Sequence, residues 1–324
     1  MKGYAVGLVG DVGGTNARFA LVDQEGHIRF PKTYLCANYT SLIDIIAEFL
    51  ETTAGRKRPP RAAIAVAGPV VDGEIEFTNL DWGVSEVDLV AAFEFEAVSL
   101  INDFAAQALA APRLGPEDLR RIGPDVKGAE GCPVAVLGAG TGFGVAGLAR
   151  YDLGDVALET EGGHAGFAPA DEVEVEVWRM LAARYGRVSI ERVLSGQGLS
   201  DLYQALAGIE GSPAELADEK AVFAAGLAGD RLAGAALDRF CAIMGGVAGD
   251  LALTFGARGG VYISGGIAPR MLDRLAAGGF RRRFEDKGRL SDYVAAIPTY
   301  VMVHPYAALV GAARELEKLE RARL

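Results

Sequence analysis

Cysteine is scarce in this chain of 324 residues, and the three present, Cys36, Cys132 and Cys241, are odd in number and share no metal-ligand spacing. That pattern speaks against a disulfide framework or a cysteine zinc site and for a reduced compartment. Positive charge is also short: 32 Lys and Arg against 43 Asp and Glu leave a formal net charge of −11. General binding along a nucleic-acid backbone is therefore not expected. An anionic ligand is still compatible, because backbone N–H groups and a metal ion can hold phosphate. No run of about 18 apolar residues appears, and no basic segment with a signal-type apolar core opens the chain. The expectation is a cytoplasmic protein that engages neither membrane nor nucleic acid.

Glycine, by contrast, is plentiful at 43 residues, in a chain that is 50% hydrophobic and 23% charged. Length and composition suit two α/β domains or one large α/β unit with glycine-rich loops. An apolar strand over residues 4–10 reaches Asp11, turns through Gly13, Gly14, Thr15 and Asn16, and resumes as strand at Phe19. His27–Tyr34 reads as a third strand, and Leu42, Ile45, Ile46, Phe49 and Leu50 keep helical spacing. After a linker at Thr53–Pro60 come a strand at Ala62–Ala67, a helix at Val87–Phe93 and a strand at Ala97–Ile101. A helix follows from Phe104, and prolines at 112 and 116 mark a domain boundary near residue 112.

The second part repeats the opening logic. A strand, Pro133–Leu137, meets Gly138-Ala139-Gly140-Thr141-Gly142-Phe143-Gly144 and resumes at Val145–Leu148. Helical stretches are expected from about Val173, over Ala236–Phe255, and from Ala307 to about Ala322, with a short strand at Gly260–Ser264 closed by Gly265-Gly266. Neither glycine turn carries the lysine of a Walker loop, and neither opens a helix as a dinucleotide fold requires. Two strand–glycine–strand tips instead suggest two grips on one nucleotide. The first would be Gly10, Asp11, Val12, Gly13, Gly14, Thr15 and Asn16; the second, Gly140, Thr141 and Gly142. Asp11 would stand near phosphate-bound Mg²⁺, through water, although a turn-forming Asp that caps a glycine N–H would look the same. Gly265 and Gly266 could admit a nucleoside, or form only a tight turn.

Asn102-Asp103 ends a strand and begins a helix, where ligand sites of α/β sheets gather. Asp103 is the candidate general base; helix N-capping is the competing role. Glu161-Gly162-Gly163-His164 sets an acid and an imidazole three residues apart across a tight turn, suited to adjacent hydroxyls of a polyol. Glu191 follows Val188-Ser189-Ile190 and reads equally as a first-turn helix acid capped by Ser189.

Taken in order, these motifs carry a family resemblance. Gly10–Arg18, Leu100-Ile101-Asn102-Asp103-Phe104 and Gly138–Gly144 are joined by Glu161-Gly162-Gly163-His164, Glu191-Arg192-Val193-Leu194-Ser195-Gly196 and Ser264-Gly265-Gly266-Ile267. The chain resembles the bacterial glucokinases of proteobacterial type, within the sugar kinase, actin and Hsp70 superfamily. The resemblance implies a two-domain actin-like (ribonuclease H-like) α/β fold with an interdomain cleft. The smaller domain would be residues 1–112 plus 304–324 and the larger 113–303. It further implies an ATP- and Mg²⁺-dependent, usually homodimeric 6-phosphotransferase at the entry to glycolysis. D-glucose would be held by Asn79, Asn102, Asp103, Glu161, His164 and Glu191, with Asp103 as base. The cysteine-rich zinc motif of the related repressor and kinase branch is missing after His164, where Ala165-Gly166-Phe167-Ala168-Pro169 follows. Kinases for fructose, mannose or an N-acetylhexosamine are the nearest alternatives. A sugar-sensing regulator would call for a helix-turn-helix ahead of the first strand, and a chaperone-like ATPase would leave the polar set at 102–103 and 161–164 without a purpose.

Overall fold

The computed structural model describes residues 5–54, 58–77, 80–152 and 154–321. Two compact units divide the chain: unit 1 is residues 1–114, 155–159 and 304–324, and unit 2 is residues 115–154 and 160–303.

Unit 1 begins with an antiparallel ribbon, β1 (Gly7–Val12), β2 (Asn16–Val22) and β3 (Ile28–Leu35), followed by helix α1 (Leu42–Thr53). Ser41 caps α1 by accepting the Asp44 N–H, and the helix buries Leu42, Ile45, Ile46, Phe49 and Leu50. Strand β4 (Arg61–Val66), a small hairpin of β5 (Glu74–Glu76) and β6 (Gly83–Ser85), helix α2 (Glu86–Phe93), strand β7 (Ala97–Asn102) and helix α3 (Asp103–Ala110) complete this segment. The main sheet has the order β3-β2-β1-β4-β7, with β1, β4 and β7 parallel. Parallel strands buried on both faces need no polar alternation, which is why Ala62–Val66 reads as one apolar run.

Chain order continues with β8 (Leu119–Ile122), β9 (Val134–Ala139), β10 (Phe143–Tyr151) and β11 (Gly154–Thr160). Helices α4 (Glu172–Tyr185), α5 (Gly196–Glu210), α6 (Glu219–Leu227) and α7 (Arg231–Phe255) precede β12 (Gly260–Ser264). Three short helices, α8 (Leu272–Ala276), α9 (Gly279–Glu285) and α10 (Ser291–Ala295), then lead to β13 (Thr299–Met302). The second sheet has the order β11-β10-β9-β12-β13-β8. Helix α7 is long and apolar enough to cross a membrane by length and composition, but it is mostly buried as the central helix of the unit 2 core. Within that core the carboxylate of Glu174, fully buried, takes two hydrogen bonds from Arg283 (2.8 and 3.1 Å), one from Arg239 (3.1 Å) and the Ala170 N–H (2.9 Å).

The last helix, α11 (Ala307–Arg321), belongs to unit 1. Leu309, Ala312 and Leu316 bury against Val9, Ala20 and Ala63. Two glycines permit that close seat. Gly311 lies on the Ala106 carbonyl of α3, and Gly7 of β1 lies beneath Leu316, so a Cβ at either would collide.

Three expectations change. Both strands of the first ribbon run further into the turn than the apolar pattern suggests, because Asp11 is opposed in register by Arg18 and Val12 by Ala17. An opposite-charge cross-strand pair lets the ladder carry a carboxylate. Strands β9 and β10 are longer for a related reason: Gly138 sits flush against the Ser264 carbonyl of β12, extending the pairing to Ala139. Residues 155–159 group with unit 1 rather than with the larger domain, and there Glu159 accepts the Asn102 N–H at 3.2 Å.

Candidate active site

In unit 1 the first tip shrinks to Gly13, Gly14 and Thr15. The Gly13 N–H closes on the Asn16 carbonyl at 3.0 Å, and the Thr15 carbonyl accepts the Cys36 N–H at 2.9 Å. Cys36 also donates its thiol to the Gly13 carbonyl at 3.4 Å, so a buried side chain props the tip from below. Among the described residues the N–H groups of Gly14 and Thr15 have no protein acceptor. Gly10 is packed under Phe19 and Ile64, and the Val12 side chain lies in the core, so each can offer a ligand only its backbone.

Asp11 is the charged member of this tip. It does not cap Gly13; its Oδ2 accepts from Arg18 Nη1 at 2.9 Å. Burial nevertheless pushes the Asp11 carboxyl above its ordinary range, and the Arg18 charge and hydrogen bond only partly oppose this. An anion that its own surroundings leave under-compensated, beside bare backbone donors, fits a site where a hydrated cation and phosphate oxygens complete the charge balance.

The other unit 1 group stands at the end of β7. Asn102, not Asp103, caps α3: its Oδ1 accepts the N–H groups of Phe104 (2.9 Å) and Ala105 (3.2 Å). Its Nδ2 donates to the Gly68 carbonyl at 3.2 Å. One amide hydrogen therefore remains for anything else. Asp103 occupies the first helical position, where Oδ1 accepts the Phe104 N–H at 2.9 Å. Asn79 lies outside the described residues.

Unit 2 carries the second tip, Gly140-Thr141-Gly142, closed by Gly140 N–H to the Gly142 carbonyl (2.8 Å). The Gly140 carbonyl accepts the Gly196 N–H (2.9 Å) from the start of α5. Glu191 reaches this tip: its Oε2 accepts the Phe143 N–H at 2.9 Å, and Gly142 has no room for a Cβ beside that oxygen. Ser189 gives Glu191 no side-chain cap, since the residues there form a single 3₁₀ turn and it is Ser195 that caps the following helix. Gly265, at φ +83°, packs against Ala139, a conformation and a clearance that only glycine allows. Gly140 and Gly266 face open space.

Glu161 and His164 share a 3₁₀ turn, with His164 Nε2 3.9 Å from Glu161 Oε2 and both side chains more than half exposed. Thr160 locks the turn by donating its hydroxyl to the Val145 carbonyl (2.7 Å) and accepting the Gly162 N–H (3.2 Å). Gly163 lies directly on the Phe143 carbonyl. Phe143 thus joins this turn, Glu191 and the second tip into one rigid patch of unit 2. Sequence reasoning passes over Arg18, Cys36 and Thr160 as site supports. Only Arg18 carries a legible signal, as the residue mirrored across the tip from Asp11.

Two glycine tips on ribonuclease H-like sheets, one in the unit that carries Asn102 and Asp103 and the other beside Glu161, His164 and Glu191, define an actin-like sugar kinase. A solved glucokinase from an Antarctic psychrotroph superposes with TM-score 0.88 at 38% identity, covering 96% of this chain and 98% of that one. A glucokinase of the ROK family from Streptomyces griseus, solved with glucose and AMPPNP, shares the fold at TM-score 0.64 and 19% identity, over 96% and 99% of the two chains. The family profile described as Glucokinase matches residues 8–319. A glucokinase of Caulobacter sp. (strain K31) is 52% identical over 97% of this chain and 95% of its own. The chain belongs to the glucokinase family.

Proposed function

We propose that the protein phosphorylates D-glucose at the 6-hydroxyl with ATP, giving glucose 6-phosphate and ADP as the first step of glycolysis (EC 2.7.1.2). The observation that carries the reading is the pairing of Asp103 at the head of α3 with Asn102 locked beside it as the cap. Together they supply a fixed carboxylate rather than a merely structural one. Family membership over residues 8–319 supports the same activity.

In this reading Asp103 orients the 6-hydroxyl and accepts its proton late in phosphoryl transfer, when the oxygen has become acidic. The remaining amide hydrogen of Asn102, the Glu161 carboxylate, the His164 imidazole and the free oxygen of Glu191 hydrogen-bond the other sugar hydroxyls, with Asn79 assigned to them by the resemblance. The N–H groups of Gly14 and Thr15, with the Thr15 and Thr141 hydroxyls, hold phosphate oxygens where negative charge develops. Gly265 and Gly266 leave room for the nucleoside. Asp11 would hold Mg²⁺ through water, and ATP with that ion supplies the phosphoryl group and the balancing charge. A cytoplasmic homodimer belongs to the same proposal.

The test is Asp103→Asn, which keeps size and the hydrogen bond from Phe104 but removes the base. Turnover is expected to fall by at least about 10²-fold, the lower end for general base loss, while glucose still binds by calorimetry. Near-normal turnover would remove Asp103 from the chemistry.

A further inference from the structure

We propose that unit 1 carries a second, separate site for a small phosphate-bearing anion, in a basic cavity formed by the β2–β3 turn, the segment after α3 and helix α11. This inference is independent of the kinase reading. The cavity, about 520 Å³, is lined by His27 and Arg29, by Arg113, and by His304, Arg314 and Glu317. That volume lies in the range of small-molecule sites and exceeds what a single ion requires. None of these residues belongs to either glycine tip or to the polar sets at 102–103, 161–164 and 191.

The charge is the first argument. Three guanidinium groups from three separated segments converge on a cavity with one lining carboxylate, in a chain whose net charge is −11. Glu317 is shared between them: it pairs with Arg314 Nη1, and Arg113 Nη2 lies 3.6 Å from the same oxygen. Arg29 is held from behind by Asp23, Nε to Oδ2 at 2.7 Å, which fixes its direction. Asp23 and Glu25 also flank His27, at 3.5 and 3.8 Å from its Nδ1. Glu317 thus serves both Arg113 and Arg314, leaving those two guanidinium groups one carboxylate between them, whereas Arg29 has Asp23 as its own partner.

The second argument is the set of donors. Arg314 is only 11% exposed and pairs through Nη1 with Glu317, which holds its guanidinium in one orientation. His304 adds a further donor: its Nδ1 accepts the Tyr306 N–H at 3.1 Å, which puts the ring proton on Nε2. Planar guanidinium forks with an imidazole N–H match the several oxygens of a phosphate group better than a lone carboxylate does.

The experiment is calorimetric titration of inorganic pyrophosphate into the full chain, with glucose and a non-hydrolysable ATP analogue present in saturating amounts to fill the phosphate tips. Binding at one site per chain is expected. The double variant Arg29→Gln, Arg113→Gln should weaken it at least tenfold; both side chains are about half exposed, so the fold should persist, as an unchanged melting temperature would verify. Glu317→Gln removes the competing carboxylate and should tighten binding several-fold. Absence of binding to the wild-type chain, or equal affinity in the double variant, would overturn the proposal. Citrate binding as tightly as pyrophosphate would overturn the assignment to phosphate.

Discussion

Asn102 offers a test in which stability and function separate cleanly. Its side chain makes three hydrogen bonds inside the protein, two accepted from the first turn of α3 and one donated to Gly68. Asn102→Ala deletes all three. Loss of an N-cap acceptor costs about 1 kcal/mol, within a range of roughly 0.5–2. Leaving the buried Ala105 N–H and the part-exposed Gly68 carbonyl without partners adds about 1–2 kcal/mol. A total of about 2–3 kcal/mol corresponds to roughly 6–9 °C in melting temperature for a unit of this size. Asn102→Asp keeps the acceptor, now charge-assisted at a helix N-terminus, and loses only the donors, so its melting temperature should fall by roughly 3 °C. Melting followed by circular dichroism, with KM for glucose measured on each variant, makes the comparison. The Asp variant should melt close to wild type yet show a KM raised about tenfold, since the last amide hydrogen goes with the amide. If the Ala variant melts within a degree of wild type, the capping argument fails. If the Asp variant keeps its KM, Asn102 has no part in holding sugar.

Further outcomes follow from the same geometry. Burial raises the Asp11 carboxyl above its unfolded value, so the folded state binds that proton more tightly, and stability declines as pH rises from the unfolded value through the folded one. Asp11→Asn should therefore hold or raise the melting temperature at neutral pH while abolishing metal-dependent turnover; a destabilised but active variant would contradict this. Glu174→Gln strips the charge that Arg239 and Arg283 share in the unit 2 core, and urea unfolding should show a loss of about 3–5 kcal/mol. A loss below about 1 kcal/mol would mean the arginines find other partners.

Much of this fold could be read from the chain because its signals were local. The glycine tips, the apolar parallel strands and the spacing of Leu42 to Leu50 each declare themselves within a short window. What stayed hidden depends on partners distant in sequence. Strands β8 and β13 are four residues each and pair only with each other and β12, so no periodicity exposes them. The capping exchange between Asn102 and Asp103 follows from which residue ends β7, a matter of one position that propensity does not resolve. Glu191 looked like an ordinary helix-start acid because its contact, the Phe143 N–H, lies 48 residues away. The cavity of Arg29, Arg113 and Arg314 was invisible for the same reason.

The central claim is tested most directly by supplying ATP and Mg²⁺ to the purified protein with a panel of hexoses and measuring ADP release, with the phosphorylated carbon identified by phosphorus NMR. The account predicts strong preference for D-glucose and a product phosphorylated at the 6-position. ADP release independent of any sugar, or an equal rate with fructose, mannose or an N-acetylhexosamine, would contradict it.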